Sequence, residues 1–208
     1  MDISQVFENN KQWVAEKLKK DQDYFKNLAQ GQNPDILYIG CSDSRATAEQ
    51  LMGVDPGDVF VHRNIANAVP NTDLNALSVI NYAVNQLSVE HIVVCGHYNC
   101  GGGKAAMQSD DQQTLNPWLC TIRDVARLHE TELSEMDHEK ARYDRLVELN
   151  VQEQCINLLK IACVQDTFLS NKLALHGWVF DIRSGKIIDL EIDFDEIWKD
   201  FRDIYALS

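Results

Sequence analysis

The chain has 208 residues, a length that fits one domain, or two only if one of them is very small. Hydrophobic residues make up 45% and charged residues 25%, which is the composition of a folded globular protein and not of a disordered or fibrous one. With 19 Lys and Arg against 32 Asp and Glu, the net charge is −13, which disfavours nucleic acid and anionic membranes as partners.

The N-terminal residues lack the basic and then apolar layout of a secretory signal, and no apolar run is long enough to span a membrane. We therefore expect a cytoplasmic protein. Because that compartment is reducing, the six cysteines are expected to be core residues or metal ligands and not disulfides.

The first half of the chain alternates between helical and strand patterns. Helical spacing of apolar residues predicts a helix or helix pair over residues 2–30, ended by Gly31 and Pro34. Three short apolar runs then alternate with helical segments, one of them over residues 44–53 and another capped by Asn71 or Thr72. The predicted strands cover residues 35–40, 58–64 and 91–97.

The second half predicts helices over residues 117–168, hairpin strands over 173–182 and 186–194, and a closing helix over 195–206. We predict an α/β fold in one domain, residues 1–208, with helices on both faces of a mostly parallel sheet. The expected strand order is 2-1-3-4 with an antiparallel edge strand, and residues 1–31 form an N-terminal helical arm.

Two loops that follow apolar strands carry the residues that could bind a ligand or take part in catalysis. They are residues 41–45, Cys-Ser-Asp-Ser-Arg, and residues 96–103, Gly-His-Tyr-Asn-Cys-Gly-Gly-Gly. In open α/β sheets, ligands bind beyond the carboxyl ends of strands where the strand order reverses. If the first and third strands are neighbours, these loops meet.

Cys41, His97 and Cys100 in these loops have the donor types of a catalytic zinc site with one open position. From spacing alone, an equally good interpretation is that the two cysteines are small buried hydrophobic residues. A thiol enzyme that uses Cys41 and His97 as nucleophile and base is a lesser alternative.

Two nucleotide-binding motifs fail on the residues. In the glycine-rich loop, the phosphate-loop motif G-x-x-x-x-G-K-[ST] would take Gly103 and Lys104 as its G-K pair. Tyr98 then stands where the first glycine is required, and Ala105 stands where serine or threonine is required. No G-x-G-x-x-G occurs in the turns either, which removes the dinucleotide fingerprint.

The motifs C-S-D-S-R, H-R-N-I-A-N at 62–67 and G-H-x-x-C-G-G resemble the β-class carbonic anhydrases. The resemblance runs from about Asp35 to Asp189. It is strongest to the bacterial members, as judged by four short segments: NTDLN (71–75), EHIVVCGH (90–97), LNPWL (115–119) and HGWVFD (176–181). It implies that Cys41, His97 and Cys100 hold Zn²⁺ and that Asp43 and Arg45 form the functional dyad.

The implied reaction is reversible hydration of carbon dioxide to bicarbonate and a proton by hydroxide on the zinc. In part of the family the aspartate instead becomes the fourth ligand, so a closed state with Asp43 on the metal is a second expectation. Two alternatives stay open: hydrolysis of an analogue such as carbon disulfide or carbonyl sulfide at the same site, and a zinc-stabilised interaction protein without catalysis.

The resemblance also implies a substrate pocket and self-association. Family members are dimers, often paired into tetramers, with the N-terminal helix around the partner, and Trp13, Tyr24 and Phe25 fit that use or packing within the chain. One glutamine of the pocket reaches across the dimer interface. The pocket positions fall on Gln32, Phe60, Ile65, Tyr82, Gly101 and Gly102.

Some bacterial members bind a regulatory bicarbonate through a tryptophan, an arginine and a tyrosine. The equivalents are Tyr38, Arg63 and Phe180, so only the arginine is retained. The residues therefore favour neither retention nor loss of a regulatory bicarbonate site at Arg63 and Tyr38.

Overall fold

The structure is a computed structural model that describes residues 2–207. Its contacts form two compact units, one up to Asn33 and one from Pro34 onward. The first unit is a helix pair, as predicted, with α1 at Ile3–Lys20 and α2 at Tyr24–Leu28. The Asp2 side chain accepts a hydrogen bond from the Ser4 N–H and caps α1.

Three aromatic residues join the two helices of the arm. The ring centroids of Trp13 and Phe25 are 5.3 Å apart and those of Tyr24 and Phe25 are 5.0 Å apart, both in edge-to-face geometry. These rings therefore pack on one another within the arm. Partner wrapping by the arm stays a prediction.

The second unit is built on a five-stranded sheet in the order β2-β1-β3-β4-β5. The first four strands are parallel, and β5 runs antiparallel to β4 at the edge. The predicted order and the antiparallel edge are confirmed. The strands are β1 at Ile36–Cys41, β2 at Val59–Asn64, β3 at His91–His97, β4 at Ala174–Asp181 and β5 at Lys186–Asp189.

Helices connect the strands and cover the sheet, with a π-helical turn at Ala83–Leu87 and 3₁₀ turns at Ile65–Asn67 and Gln113–Leu115. No helix within residues 2–207 is both long and apolar enough to cross a membrane. The helices of this unit are α3 at Ala48–Met52, α4 at Leu74–Tyr82, α5 at Gly101–Met107, α6 at Asn116–Leu128, α7 at Glu130–Ser134, α8 at Glu139–Leu159, α9 at Ala162–Leu169 and α10 at Phe194–Tyr205.

Strand alternation sends neighbouring side chains to opposite faces of the sheet. On β1, Leu37 and Ile39 belong to the main core, whereas Tyr38 packs with Val93 and Ala48 on the other face. The apolar run of β1 is therefore buried on both sides, as expected for a central parallel strand.

Three boundaries differ from the sequence prediction. The cap of α4 is Asp73, whose carboxylate accepts from the Asn75 N–H at 3.1 Å, while Asn71 donates to the Asn157 carbonyl at 2.9 Å. The helix α3 is shorter than predicted because residues 42–47 form a loop. The strand β5 ends at Asp189 instead of residue 194, since the backbone turns at Glu191 with φ of 50°.

The long helix α8 packs closely on β3 at Gly96. A Cβ placed on Gly96 would lie 2.7 Å from Val151 Cγ2 and 3.3 Å from Val147 Cγ1. Both valines are β-branched residues on a helix, where their rotamers are fixed, so neither side chain can move aside cheaply.

Gly96→Ala is expected to lower the free energy of unfolding by about 1–3 kcal/mol, because the added methyl group overpacks the interface between helix and sheet. Urea denaturation measures the effect. Gly101→Ala is the matched control, since a Cβ there meets no atom within 4 Å. Equal stability of the two variants would contradict the proposed steric role of Gly96.

Candidate metal centre

Three donor side chains converge at the carboxyl ends of two adjacent strands. Cys41 is the last residue of β1, and His97 is the last residue of β3. Because β1 and β3 pair in parallel, their ends lie side by side. Asn99 adopts a left-handed backbone with φ of 60°, which turns the chain and brings Cys100 back to the same place.

The spacing of the three donors fits a tetrahedral metal ion. The sulfurs of Cys41 and Cys100 are 3.9 Å apart, and the donor atoms of Cys41, His97 and Cys100 all lie within 4.8 Å of one another. Two sulfurs that are each bound to one tetrahedral zinc ion would be about 3.8 Å apart. All three residues are buried.

His97 is oriented for metal binding by its own neighbour. The ring nitrogen Nδ1 lies 3.0 Å from the Tyr98 carbonyl oxygen, which can only accept, so Nδ1 carries the proton. In the neutral ring, Nε2 therefore presents a lone pair. This atom is buried and has no hydrogen-bond partner within residues 2–207, although a buried polar nitrogen ordinarily has one.

The thiols of Cys41 and Cys100 are hydrogen-bonded to each other. The hydrogen bond from Cys100 lowers the pKa of Cys41, and the same bond together with burial raises the pKa of Cys100. Burial, the largest single effect, disfavours a charged ring at His97, but the Cys41 sulfur, the Tyr98 main chain and Asp43 together raise the pKa of His97. A divalent cation relieves this coupling, since it binds both sulfurs as thiolates and the ring as a neutral ligand.

The main chain around the sulfurs also affects their titration. The main chain at Ala66 and Asp43 helps to lower the pKa of Cys41, and the main chain at Gly103 and Gly102 opposes the rise in the pKa of Cys100. Hydrogen bonds to the charged form of an acid favour that form. The backbone of the pocket is thus arranged for thiolates.

Asp43 and Arg45 form a bidentate ion pair beside the donors. Arg45 Nε donates to Asp43 Oδ1 at 2.8 Å, and Arg45 Nη2 donates to Asp43 Oδ2 at 2.7 Å. Hydrogen bonds from Arg45 hold the pKa of Asp43 far below its usual range. Asp43 Oδ2 lies 3.7 Å from His97 Nε2, so the carboxylate borders the metal pocket.

Arg63 supports the loop that carries Cys41 and Asp43. Its Nε donates to the Cys41 carbonyl at 2.8 Å, and its Nη2 donates to the carbonyls of Asp43 at 2.6 Å and Ala46 at 3.1 Å. One guanidinium therefore fixes three peptides of residues 41–46. Sequence reasoning placed Arg63 only at a regulatory site and missed this role.

The residues predicted for the substrate pocket do not all lie at this centre. Ile65 does, because a Cβ on Gly102 would be 2.8 Å from Ile65 Cγ2. Phe60 is paired with Leu37, four residues before Cys41, which is roughly 13 Å along the strand. The Tyr82 ring lies 5.7 Å from the Phe60 ring and is therefore with Phe60.

The other residues predicted for the substrate pocket and the regulatory site are Gly101, Gln32 and Tyr38. Gly101 is exposed at the start of α5, and Gln32 is exposed in the N-terminal unit. Tyr38 is buried against Cys95, and burial strongly raises its pKa. A regulatory bicarbonate at Tyr38 and Arg63 stays a prediction.

A mostly parallel sheet, with Cys, His and Cys side chains at its carboxyl end that could hold a metal ion, defines a protein of the α/β class. Residues 36–187 match the family model described as carbonic anhydrase. A carbonic anhydrase from Emericella nidulans is 54% identical over 204 residues, covering 98% of this chain and 90% of the relative. The chain belongs to the carbonic anhydrase family.

A solved structure places the chain in the β class. A tetrameric β-carbonic anhydrase from Sordaria macrospora superposes with a TM-score of 0.88 at 39% identity, covering 91% of this chain and 96% of that one. A carbonic anhydrase from Pseudomonas aeruginosa is 40% identical over 173 residues, covering 80% of this chain and 78% of the relative. The expectation that bacterial members are most similar is therefore wrong, since the fungal relative from Emericella nidulans is 54% identical and the bacterial one from Pseudomonas aeruginosa 40%.

Arg63→Lys is expected to lower the carbon dioxide hydration rate about 10-fold or more, because a lysine cannot hold three carbonyls in the fixed geometry of a guanidinium. Stopped-flow hydration kinetics with metal analysis measure the change. Arg123→Lys is the matched control, as Arg123 also donates to a carbonyl, that of Ala106. Unchanged kinetics in Arg63→Lys would argue against the support of the loop by Arg63.

Proposed function

We propose that this β-carbonic anhydrase hydrates carbon dioxide reversibly to bicarbonate and a proton, with zinc held by Cys41, His97 and Cys100. One observation carries the assignment of the metal: a buried imidazole nitrogen without a partner faces two sulfurs 3.9 Å apart. Three protein donors leave a fourth position open, as in catalytic zinc sites. When bound, zinc supplies the Lewis acidity that makes water a nucleophile near neutral pH.

Asp43 is proposed to orient the attacking water. Its low pKa keeps the carboxylate ionised, so that it accepts a hydrogen bond and cannot donate one. Because Oδ2 borders the three donors, an accepted hydrogen bond there directs the lone pair of the water away from the aspartate and toward the substrate.

Arg45 is proposed to keep Asp43 in this orientation. Both carboxylate oxygens accept from Arg45, and Arg45 Nη2 also lies 3.3 Å from the Asn99 carbonyl in the neighbouring loop. The predicted closed state, with Asp43 as fourth metal ligand, requires this bidentate pair to break. The intact pair of Asp43 and Arg45 supports a resting state in which the fourth position is left to water.

Carbon dioxide is apolar, so its binding surface is expected to combine apolar atoms with few donors. Ile65 supplies apolar atoms of this kind, and it packs closely on the backbone of Gly102, where an added Cβ would lie 2.8 Å from Ile65 Cγ2. Gly102 is therefore proposed to let Ile65 approach the loop that carries Cys100.

Self-association is proposed to complete the pocket. Phe60 and Tyr82 lie together away from the donors of their own chain, and Tyr82 is 46% exposed. Apolar side chains exposed beside one another favour a protein contact. A tetrameric relative supports self-association, and we propose that Phe60 and Tyr82 then serve the site of a second copy.

A cytoplasmic location is proposed as well. All six cysteines are free thiols, which supports a reducing compartment. Fractionation of cells followed by immunoblotting tests the location.

Cys41→Ser is expected to lose zinc, because a hydroxyl is a much poorer zinc ligand than a thiolate. Asp43→Asn is expected to keep zinc and lose about 100-fold in hydration rate, since an amide cannot orient the water in the same way. Metal analysis and stopped-flow kinetics separate the two effects.

The control is Cys163→Ser, which changes a partly buried free thiol outside the donor set and should preserve both zinc and rate. Full activity of Cys41→Ser or Asp43→Asn would refute the roles given to these residues.

A mixture of two inactive variants tests the shared pocket. If Tyr82 serves a neighbouring copy, a Cys41→Ser chain and a Tyr82→Ala chain co-assembled in one oligomer should regain activity, because one site then has every group intact. Separately purified variants that cannot exchange subunits are the control. No recovery in a verified mixed oligomer would show that Tyr82 acts within its own chain or not at all.

A further inference from the structure

The helix α8 packs on β3 and also holds the loop that follows this strand. Val147 and Val151 of α8 lie beside Gly96, near the end of β3. Because helix positions four residues apart share a face, Tyr143 lies on the same face as the two valines, one turn before Val147. The Tyr143 hydroxyl donates to the Cys100 carbonyl at 3.2 Å. One face of α8 therefore contacts both the strand and the loop.

A second side chain of α8 holds the loop at Tyr98. The Tyr98 hydroxyl donates to Glu148 Oε1 at 2.6 Å. The other oxygen, Glu148 Oε2, accepts from Arg145 Nη1 at 2.8 Å, and Arg145 Nε donates to Glu132 Oε1 of α7 at 2.6 Å. Each oxygen of Glu148 therefore has a partner of its own, which fixes the carboxylate in front of Tyr98.

Tyr98 matters because its carbonyl is the partner of a metal donor. His97 Nδ1 donates to the Tyr98 carbonyl at 3.0 Å, and this bond sets both the tautomer and the direction of the imidazole ring. The N–H of Tyr98 donates to the Phe180 carbonyl of β4 at 3.1 Å. Tyr98 is thus held on the sheet by its N–H and on α8 by its hydroxyl, which restrains the carbonyl between them.

The loop depends on such contacts because its backbone is strained at Asn99. The φ of 60° there is left-handed, a conformation that costs a non-glycine residue free energy and persists when the surroundings impose it. Arg45 Nη2 donates to the Asn99 carbonyl at 3.3 Å. The carbonyls of residues 98, 99 and 100 therefore each accept from a different side chain, those of His97, Arg45 and Tyr143.

We propose that Tyr143 and Glu148 of α8 are positioning residues for the two metal donors of this loop. Tyr143 places Cys100 through the Cys100 carbonyl, and Glu148 places the ring of His97 through the hydroxyl and the carbonyl of Tyr98. The inference rests on the proposed function, since it assigns both residues to zinc ligands. Loss of a group that orients a metal ligand typically lowers metal affinity about 10- to 100-fold.

Tyr98→Phe and Tyr143→Phe are the sharpest tests, because each keeps the aromatic ring and removes one hydroxyl. Competition with a chromophoric chelator is expected to show a zinc dissociation constant raised about 10-fold in each variant. In cobalt-loaded protein the ligand-field bands should shift, because they report the geometry of the donors. Glu148→Leu should match Tyr98→Phe, and Glu148→Gln, which keeps an oxygen that accepts from Tyr98, should retain most of the affinity.

A double variant tests the route from Glu148 to His97. If Glu148 acts through the Tyr98 hydroxyl, the zinc dissociation constant of Tyr98→Phe/Glu148→Leu should equal that of Glu148→Leu alone, since the second change removes nothing further. Losses that multiply in the double variant would show that the two residues act separately, and would refute this route.

Two controls separate this effect from general loss of stability. Glu153→Leu removes a carboxylate of the same helix, one that bonds His129 Nε2 at 2.9 Å and is also largely buried. Tyr205→Phe removes a tyrosine hydroxyl from α10. Both should leave the zinc dissociation constant and the cobalt bands unchanged, whatever they do to the melting temperature.

A zinc dissociation constant and cobalt bands equal to those of the unaltered protein in both Tyr98→Phe and Tyr143→Phe would overturn the inference, even if Glu148→Leu fails to fold. The unaltered protein provides the separate test of the proposed function. If it takes up zinc and hydrates carbon dioxide while both variants behave identically, only the positioning role fails. If it takes up no zinc, the proposed function and this inference fail together.

Discussion

The close approach of two buried sulfurs is the interaction on which the rest of the structure depends. Two thiolates 3.9 Å apart in a buried pocket repel each other strongly, because little water is present to screen them. A shared proton or a divalent cation removes that repulsion. The main chain at Ala66, Gly102 and Gly103 and the imidazole of His97 are arranged around this one requirement.

The arginines near the pocket act on its loops through different atoms. Arg45 binds the side chain of Asp43, whereas Arg63 binds three carbonyls of residues 41–46. In a chain with a net charge of −13, these cations are placed where a carboxylate must stay ionised and a loop must stay fixed. The acidic balance of the whole chain therefore says little about the electrostatics of its site.

Much of the site could be predicted because its residues are close in sequence to recognisable strand ends. The run from His91 to His97 shows a buried strand, and the glycines after it mark a loop, so His97 and Cys100 were predictable together. The buried amides of Asn150 and Gln154, which bond the main chain at Ala66 and Val69, were overlooked. Their signal is two amides four residues apart on the buried face of a helix, where the neighbouring positions are Leu146, Val147, Val151 and Leu158.

The sequence by itself determined the alternation of strands and helices, the donor types and the family, because periodicity and short motifs are local properties. Tertiary structure decided that β1 lies beside β3, which joins Cys41 to His97 across more than fifty residues of chain. It also decided that Arg63 binds carbonyls and that Phe60 and Tyr82 lie apart from the sulfurs of their own chain. Strand register and main-chain hydrogen bonds fix such placements, and neither depends on the identity of one residue alone.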